Sequence, residues 1–250
     1  MKVLGLDSSG LVASVAVVEE GNLLAEYTVN YKKTHSQTLL PMLDAVVGML
    51  ELDLACVDAI AVAAGPGSFT GLRIGSATAK GLGLALGKPL LHIPTVDGLA
   101  YNLWGSLDLV CPLMDARRSQ AYTGVYRFSS KGMEVVVPQC AVGIEEIIGR
   151  VNEMGREVIF LGDGVPVFSG YIAQNCSVPF SFAPAHLNKQ RAAAVASLGL
   201  LYLKEGKTET AAGHRPDYLR KSQAERERET AERLGALDKL SAGIAVSAQI

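Results

Sequence analysis

Three short turns carry acidic groups where chemistry is often done, at the ends of apolar runs. They are Asp7-Ser8-Ser9-Gly10, Asp115-Ala116-Arg117-Arg118 and Gly162-Asp163-Gly164. A fourth turn, Gly65-Pro66-Gly67-Ser68-Phe69-Thr70-Gly71, has no acid but leads into a glycine-rich helical segment. A carboxylate at a strand end can orient a metal or a water, and the amides and hydroxyls beside it can hold a phosphate. A glycine turn at a helix start adds exposed amides and the positive end of the helix dipole. The candidate nucleotide or anion contacts are therefore Asp7, Ser9, Gly65, Gly67, Ser68, Thr70, Arg73 and Asp115. Each has a plainer use. Asp7 and Ser9 can close their own turn, Ser68 or Thr70 can cap the helix, and Asp115 can pair with the arginines beside it.

The strong forms of these motifs are missing. A Walker A loop needs G-x-x-x-x-G-K-[ST], and no lysine follows a glycine at the right place. The dinucleotide fingerprint G-x-G-x-x-G fails too, because the third glycine falls one position late, at Gly71. The histidines are His35, His92, His186 and His214, and no two stand at helical ligand spacing, so no metal site is expected. His35 reads as a capping or surface residue at a helix start. No G-x-S-x-G elbow occurs, and the carboxylates lack a recognisable lysine or histidine partner. The catalytic residues expected at such a cleft are none.

Strands and helices must aim these turns. Apolar patterning predicts strands over 3–7, 12–18, 23–29, 58–63 and 90–93. Helices are predicted from a cap at Thr34 or Ser36 to about residue 50, after the glycine turn, and from Thr95. The second half repeats the plan, with strands over 109–114, 120–128, 133–140 and 158–161 and helices over 144–152, 166–175 and 192–203. "VLGLDSSGLVASVAVV" corresponds to "VCPLMDARRSQAYTGVYRF", and "AIAVAAGPGS" to "VIFLGDGVPV". Strand-helix-strand order implies parallel pairing, while the meanders are antiparallel, so each half is an α/β unit with a mixed sheet. Two such lobes facing each other gather all four turns around one cleft. The expected division is a lobe over 1–105, a second over 106–220 and a charge-dense tail over 221–250.

Two helices look over-apolar. In the first, Leu39, Leu43, Val46, Val47 and Leu50 make one face, while Leu40, Met42, Ala45 and Met49 spread round to the others. In the second, Gly71, Gly75, Ala79, Gly83 and Gly87 recur every four residues. A glycine inside a helix costs about 1 kcal/mol relative to alanine, which suggests a compensating close contact. The expected subunit interface therefore uses Leu39, Met42, Leu43, Met49, Gly71, Gly75, Ala79 and Gly83, and Gly75→Leu or Ala79→Arg is expected to block pairing in a folded monomer. The alternative is that the small stripe packs on the lobe's own sheet.

The 250 residues are 49% hydrophobic and 19% charged, with a net charge of -2, which suits an ordered globular chain and not a stand-alone nucleic-acid binder. Cys56, Cys111, Cys140 and Cys176 form no C-x-x-C and read as buried thiols in a reducing compartment. The start lacks a signal-peptide pattern, and no apolar run reaches the roughly 20 residues needed to span a bilayer. A cytoplasmic protein without membrane contact is expected.

Taken together, "GLDSS", "HSQTLLPML", "GPGSFTGLRIG", "AKGL", "DARRSQAYTGVY" and "PDYLR" resemble the TsaB family, also called YeaZ, from Met1 to about Ala224. The resemblance implies the actin-like ATPase fold of sugar kinases and Hsp70 in a reduced two-lobed form. It also implies a non-catalytic subunit in the synthesis of threonylcarbamoyladenosine at position 37 of tRNAs reading codons that begin with A. The implied partners are the catalytic paralogue TsaD, the ATPase TsaE, a second copy of the chain in isolation, and tRNA through the complex. TsaD carries a metal-binding histidine pair on its first long helix, where this sequence has His35 and, four residues on, Leu39. No cofactor is expected to be required, with weak ATP or ADP binding at the degenerate cleft or the TsaD interface left open. The alternative is an ATP-dependent phosphotransferase or ATPase of the same fold, and a third reading is a metal-dependent peptidase.

Overall fold

The computed structural model describes residues 1–220, so the tail expected over 221–250 lies outside the described residues. β1 (Lys2–Asp7), β2 (Val12–Glu19) and β3 (Asn22–Asn30) form an antiparallel meander. There follow α1 (His35–Met49), β4 (Ala59–Gly65), α2 (Phe69–Leu86), β5 (Leu90–Pro94) and α3 (Thr95–Tyr101). The sheet order is β3-β2-β1-β4-β5, with β4 parallel to both β1 and β5.

The second half contains β6 (Leu109–Asp115), β7 (Gln120–Ser129), β8 (Gly132–Gly143), α4 (Ile144–Met154), β9 (Val158–Leu161), α5 (Val165–Asn175) and β10 (Phe180–Phe182). Its sheet runs β8-β7-β6-β9-β10, the same path as the first. The internal repeat read from the sequence is thus a repeat of topology, and the chain has the two-lobed actin-like plan. β10 was not expected, since three residues are too few to show a period. It is anchored by Phe180, whose ring lies 6.2 Å from that of Phe160.

The central parallel strands are buried on both faces, so they read as continuous apolar runs. Alternate residues then part company. Leu4, Leu6, Ile60 and Val62 pack with Leu39, Met42, Leu43 and Val46 of α1 and Ala79 of α2. Val3, Ala59, Ala61 and Ala63 pack instead with Val195, Ala196 and Leu198 of α6 (Ala192–Lys204).

That second contact corrects the expected division of the chain, which gave α6 to the lobe over 106–220. α6 returns to the first sheet and covers β1, β2 and β4. Strands of that sheet also cap it: Ala192 N donates to Ser14 Oγ at 2.8 Å and Ala193 N donates to Glu26 Oε1 at 3.0 Å. Its own N-cap position, Arg191, makes no side-chain cap, but its guanidinium pairs with Glu26. α3 lies between the lobes, where Tyr126 Oη of β7 donates to Asp97 Oδ1 at 2.6 Å.

Two smaller expectations fail. Only Cys111 is buried, and burial pushes its thiol up to about 12. Cys140 and Cys176 are half-buried, and Cys56 is exposed on a one-turn helix over Leu54–Cys56. Thr34 stands at the N-cap of α1 but its side chain makes no capping bond, and Ser36 bonds to Thr34 instead of to the backbone. No helix among the described residues is long and apolar enough to cross a membrane.

Candidate functional site

β1 delivers Asp7 to its C-terminal end with 2% of its surface exposed. Ser9 N and Ser9 Oγ donate to Asp7 Oδ1 at 2.9 and 2.7 Å, so these two residues do close their own turn. Burial raises the Asp7 carboxyl to about 6; the bonds from Ser9 and the nearby His35 work against the rise, and Asp163 works with it.

His35 does not cap α1. Its Nε2 donates to the Gly10 carbonyl at 2.8 Å and ties the helix to the Asp7 turn. Its Nδ1 is buried without a hydrogen-bond partner among the described residues, as are both amide atoms of Gln190 and Oδ1 of Asp163. Gln190 sits against Gly10, where an added methyl would lie 2.9 Å from Nε2. An unsatisfied buried polar atom costs about 1–3 kcal/mol. Those of His35 and Gln190 lie at the Asp7 turn, where His35 bonds to Gly10 and Gln190 packs against it. Sequence reading missed His35 in this role and missed Gln190 altogether, because neither stands in a recognisable motif.

The glycine loop packs closely against neighbouring backbone. Ser68 N donates to the Ser9 carbonyl at 2.7 Å, and Ser68 Oγ accepts from Gly71 N at 3.3 Å as the N-cap of α2. A methyl on Gly67 or Gly71 would overlap the carbonyl of Ser9 or Ser8 respectively. One on Gly65 would overlap the carbonyl of Asp217. The side of each of these glycines where a side chain would stand is thus packed against a carbonyl oxygen. Thr70 is exposed beyond the cap, and Arg73 lies over the Phe69 ring at 4.0 Å from its centroid.

The second lobe mirrors this packing. A methyl on Gly162 would overlap the Leu113 carbonyl, and Gly164 N donates to that same oxygen at 2.9 Å. Asp115 accepts from Arg117 N at 2.8 Å and faces its guanidinium at 3.6 Å, which is the local pairing. Arg117, Arg118 and Ser119 have φ of 66°, 57° and 57°, three successive left-handed residues without a glycine. They line an open cavity of ≈ 440 Å³ with Glu145, Phe168 and Tyr171. Burial raises the Asp163 carboxyl, opposed by Lys189.

Most of the expected interface is internal. Leu39, Met42 and Leu43 belong to the first-lobe core. Gly75 sits 2.5 Å from Ser8 Oγ when given a methyl, Gly83 sits 2.8 Å from Ala211 Cβ, and Ala79 is fully buried. With Gly71, the small stripe lets α2 approach the β1–β2 turn and the segment after α6, which is the alternative of packing within the lobe. Gly75→Leu or Ala79→Arg would therefore disrupt the fold itself. Of the eight expected positions only Met49 is exposed, at 86%. The exposed apolar or small positions on these helices are instead Leu40, Gly48 and Met49 of α1 and Ala77, Gly81 and Leu84 of α2.

A family model described as TsaD, tRNA N6-adenosine threonylcarbamoyltransferase, matches residues 22–228. The tRNA threonylcarbamoyladenosine biosynthesis protein TsaB of Bacillus subtilis is 32% identical over 225 residues, spanning 90% of this chain and 96% of that protein. The protein of the same name from Escherichia coli is 29% identical over 167 residues, spanning 66% and 72%. The solved structure of YeaZ from Pseudomonas aeruginosa superposes with a TM-score of 0.76 at 28% identity, covering 87% of this chain and 99% of that one.

Proposed function

This chain belongs to the TsaB (YeaZ) family, and from that premise we propose that it is the non-catalytic subunit that binds and activates a TsaD-like transferase. The names of its relatives support a role in tRNA threonylcarbamoyladenosine biosynthesis. In the finer reading, the modified base is adenosine 37 of tRNAs reading codons that begin with A. The chain receives no group itself and raises the rate at which its partner transfers threonylcarbamoyl from its adenylate.

The observation that carries this reading is α1. At the spacing where the resembling paralogue has a metal-binding histidine pair, this helix has His35 and Leu39. His35 is bonded to Gly10, and Leu39 is 1% exposed within the first-lobe core. The helix cannot present two imidazoles to an ion.

The surface assigned to the partner is the outer face of α1 and α2. Met49 is 86% and Leu84 63% exposed, and Gly48 and Gly81 have open space in front of them. An apolar face with flat, small positions suits close helix packing. A second copy of the chain takes that face in isolation, the TsaD-like subunit replaces it, and a TsaE-like ATPase and tRNA join through the complex. Reconstitution tests this. TsaD, TsaE and tRNA should form the modified base only when the chain is added, and equal product without it overturns the proposal.

A phosphotransferase or ATPase reading is favoured by one feature, the unpartnered polar atoms gathered at the Asp7 turn. It is tested by ATP turnover of the purified chain with and without Asp7→Ala. Turnover abolished by the substitution would favour it over the scaffold reading. ATP or ADP bound without turnover is the form in which that cleft is compatible with a scaffold.

A further inference from the structure

The segment after α6 returns to the free edge of the first sheet. Leu90 N donates to the Glu209 carbonyl at 2.9 Å and Glu209 N donates to the Leu90 carbonyl at 3.0 Å, so Glu209 pairs with β5. Further on, Asp217 N donates to the Ala64 carbonyl at 2.7 Å. Between these two backbone ties, two histidines and two carboxylates meet. His92 Nδ1 of β5 lies 3.6 Å from Glu209 Oε1, and His214 Nδ1 contacts the same oxygen. The two imidazole centroids are 5.6 Å apart. One ligand atom from each of His92, Glu209 and His214 lies within 4.8 Å of the other two. His92 Nε2 points the other way, to Asp217 Oδ2 at 3.0 Å. His214 is fully buried, and its Nε2 has no partner among the described residues, so its side-chain hydrogen bonding is all on the Glu209 side.

We propose that His92, Glu209 and His214 bind a divalent transition-metal ion of the zinc class, with Asp217 as the outer carboxylate that orients His92. Two imidazoles and a carboxylate are the nitrogen and oxygen set that zinc takes in three-ligand sites. Bonds of about 2.0–2.1 Å to a tetrahedral ion put its ligands roughly 3.4 Å apart, close to the 3.6 Å between His92 Nδ1 and Glu209 Oε1. A metal-bound histidine usually gives its other N–H to a carboxylate, which is the His92–Asp217 contact. The Lys80 ammonium is turned to the carbonyls of Ala212 and His214, at 3.2 and 3.1 Å. The ion clamps the returning segment onto β5. No helical histidine pair is involved, which is why spacing along the chain gives no sign of the site.

The test uses the full chain, stripped of metal by a chelator and titrated with Co²⁺. One Co²⁺ per chain is expected, with visible d–d absorption of a low-coordinate nitrogen and oxygen site, displaced by Zn²⁺ and accompanied by a rise in Tm. His92→Asn and Glu209→Gln, both at partly exposed positions, should weaken Co²⁺ binding at least about tenfold and remove the absorption, while the circular dichroism spectrum stays native. Asp217→Asn should weaken it by about tenfold, as loss of an outer carboxylate does. His186→Ala, away from the cluster, should change nothing. A wild-type chain that takes up no stoichiometric Co²⁺ overturns the proposal, and so does binding that survives both His92→Asn and Glu209→Gln. Should either variant fail to fold, the stoichiometry and spectrum of the wild type decide alone.

Discussion

Asp7→Asn should stabilise the protein by an amount that grows with pH. Asp7 lies at the end of a strand covered on both faces, and its carboxyl sits at about 6 in place of the ordinary 3.8, chiefly because burial disfavours the charge. At 1.36 kcal/mol per pH unit, that gap makes the ionised group cost the native state about 3 kcal/mol at neutral pH. Between pH 3.8 and about 6 the native chain holds a proton that the unfolded chain has lost. Stability therefore falls as pH rises through this window, and the full penalty is present above it. Asparagine keeps the shape, and its Oδ1 can still accept from Ser9 N and Ser9 Oγ, but it carries no charge. Urea unfolding of both proteins at several pH values between about 4 and 7.5 reads the effect, since the slope of ΔG with denaturant is otherwise shared. The difference should be smallest at the acid end and grow by about 2–2.5 kcal/mol between pH 4 and neutrality. The new amide adds an offset that does not depend on pH. A difference that stays flat across the range would refute the reasoning.

Other substitutions separate packing from function. Met49→Asp combined with Leu84→Asp should leave Tm within a few degrees of wild type yet abolish co-purification with a TsaD-like subunit, because both side chains face outward. Tyr126→Phe strands the buried Asp97 carboxyl between the lobes and should lower ΔG of unfolding by about 1–3 kcal/mol. Glu26→Ala removes the acceptor of Ala193 N and the partner of Arg191, a loss of about 1–2 kcal/mol in the same assay. Gly81→Ala, with open space before it, should gain about 0.5–1 kcal/mol. Gly71→Ala should lose stability instead, since its methyl would overlap the Ser8 carbonyl.

Much of the fold is legible because its signals are local. Continuous apolar runs such as 59–64 mark strands covered on both faces, and the turns that end them are written in Gly, Asp and Ser. Comparing the two halves was enough to find the repeat, and both sheets follow the same order. The four turns were legible as strand ends, and β1, β4, β6 and β9 do lead into them. Their roles were less legible: the glycines of 65–71 admit either an anion or another backbone, and composition does not distinguish the two. Residues without a motif, such as His35 and Gln190, acquire meaning only from the turn they contact.

The two apolar helices show where local reasoning ends. Step-four spacing establishes that Gly71, Gly75, Ala79 and Gly83 share a face of α2, since 3.6 residues make a turn. It does not say what lies against that face. The answer, Ser8 and Ala211, comes from segments far along the chain. The same holds for α6, whose apolar pattern is plain but whose sheet is not, and for His92, Glu209, His214 and Asp217, which meet only when the last segment returns to β5. Period, propensity and turn chemistry act over a few residues, so the sequence by itself determined the family and, short β10 apart, the main strands and helices and their order. Which faces meet is decided by burial summed over the whole chain, so the tertiary structure alone decided what is core, what is surface and which side chains share a site.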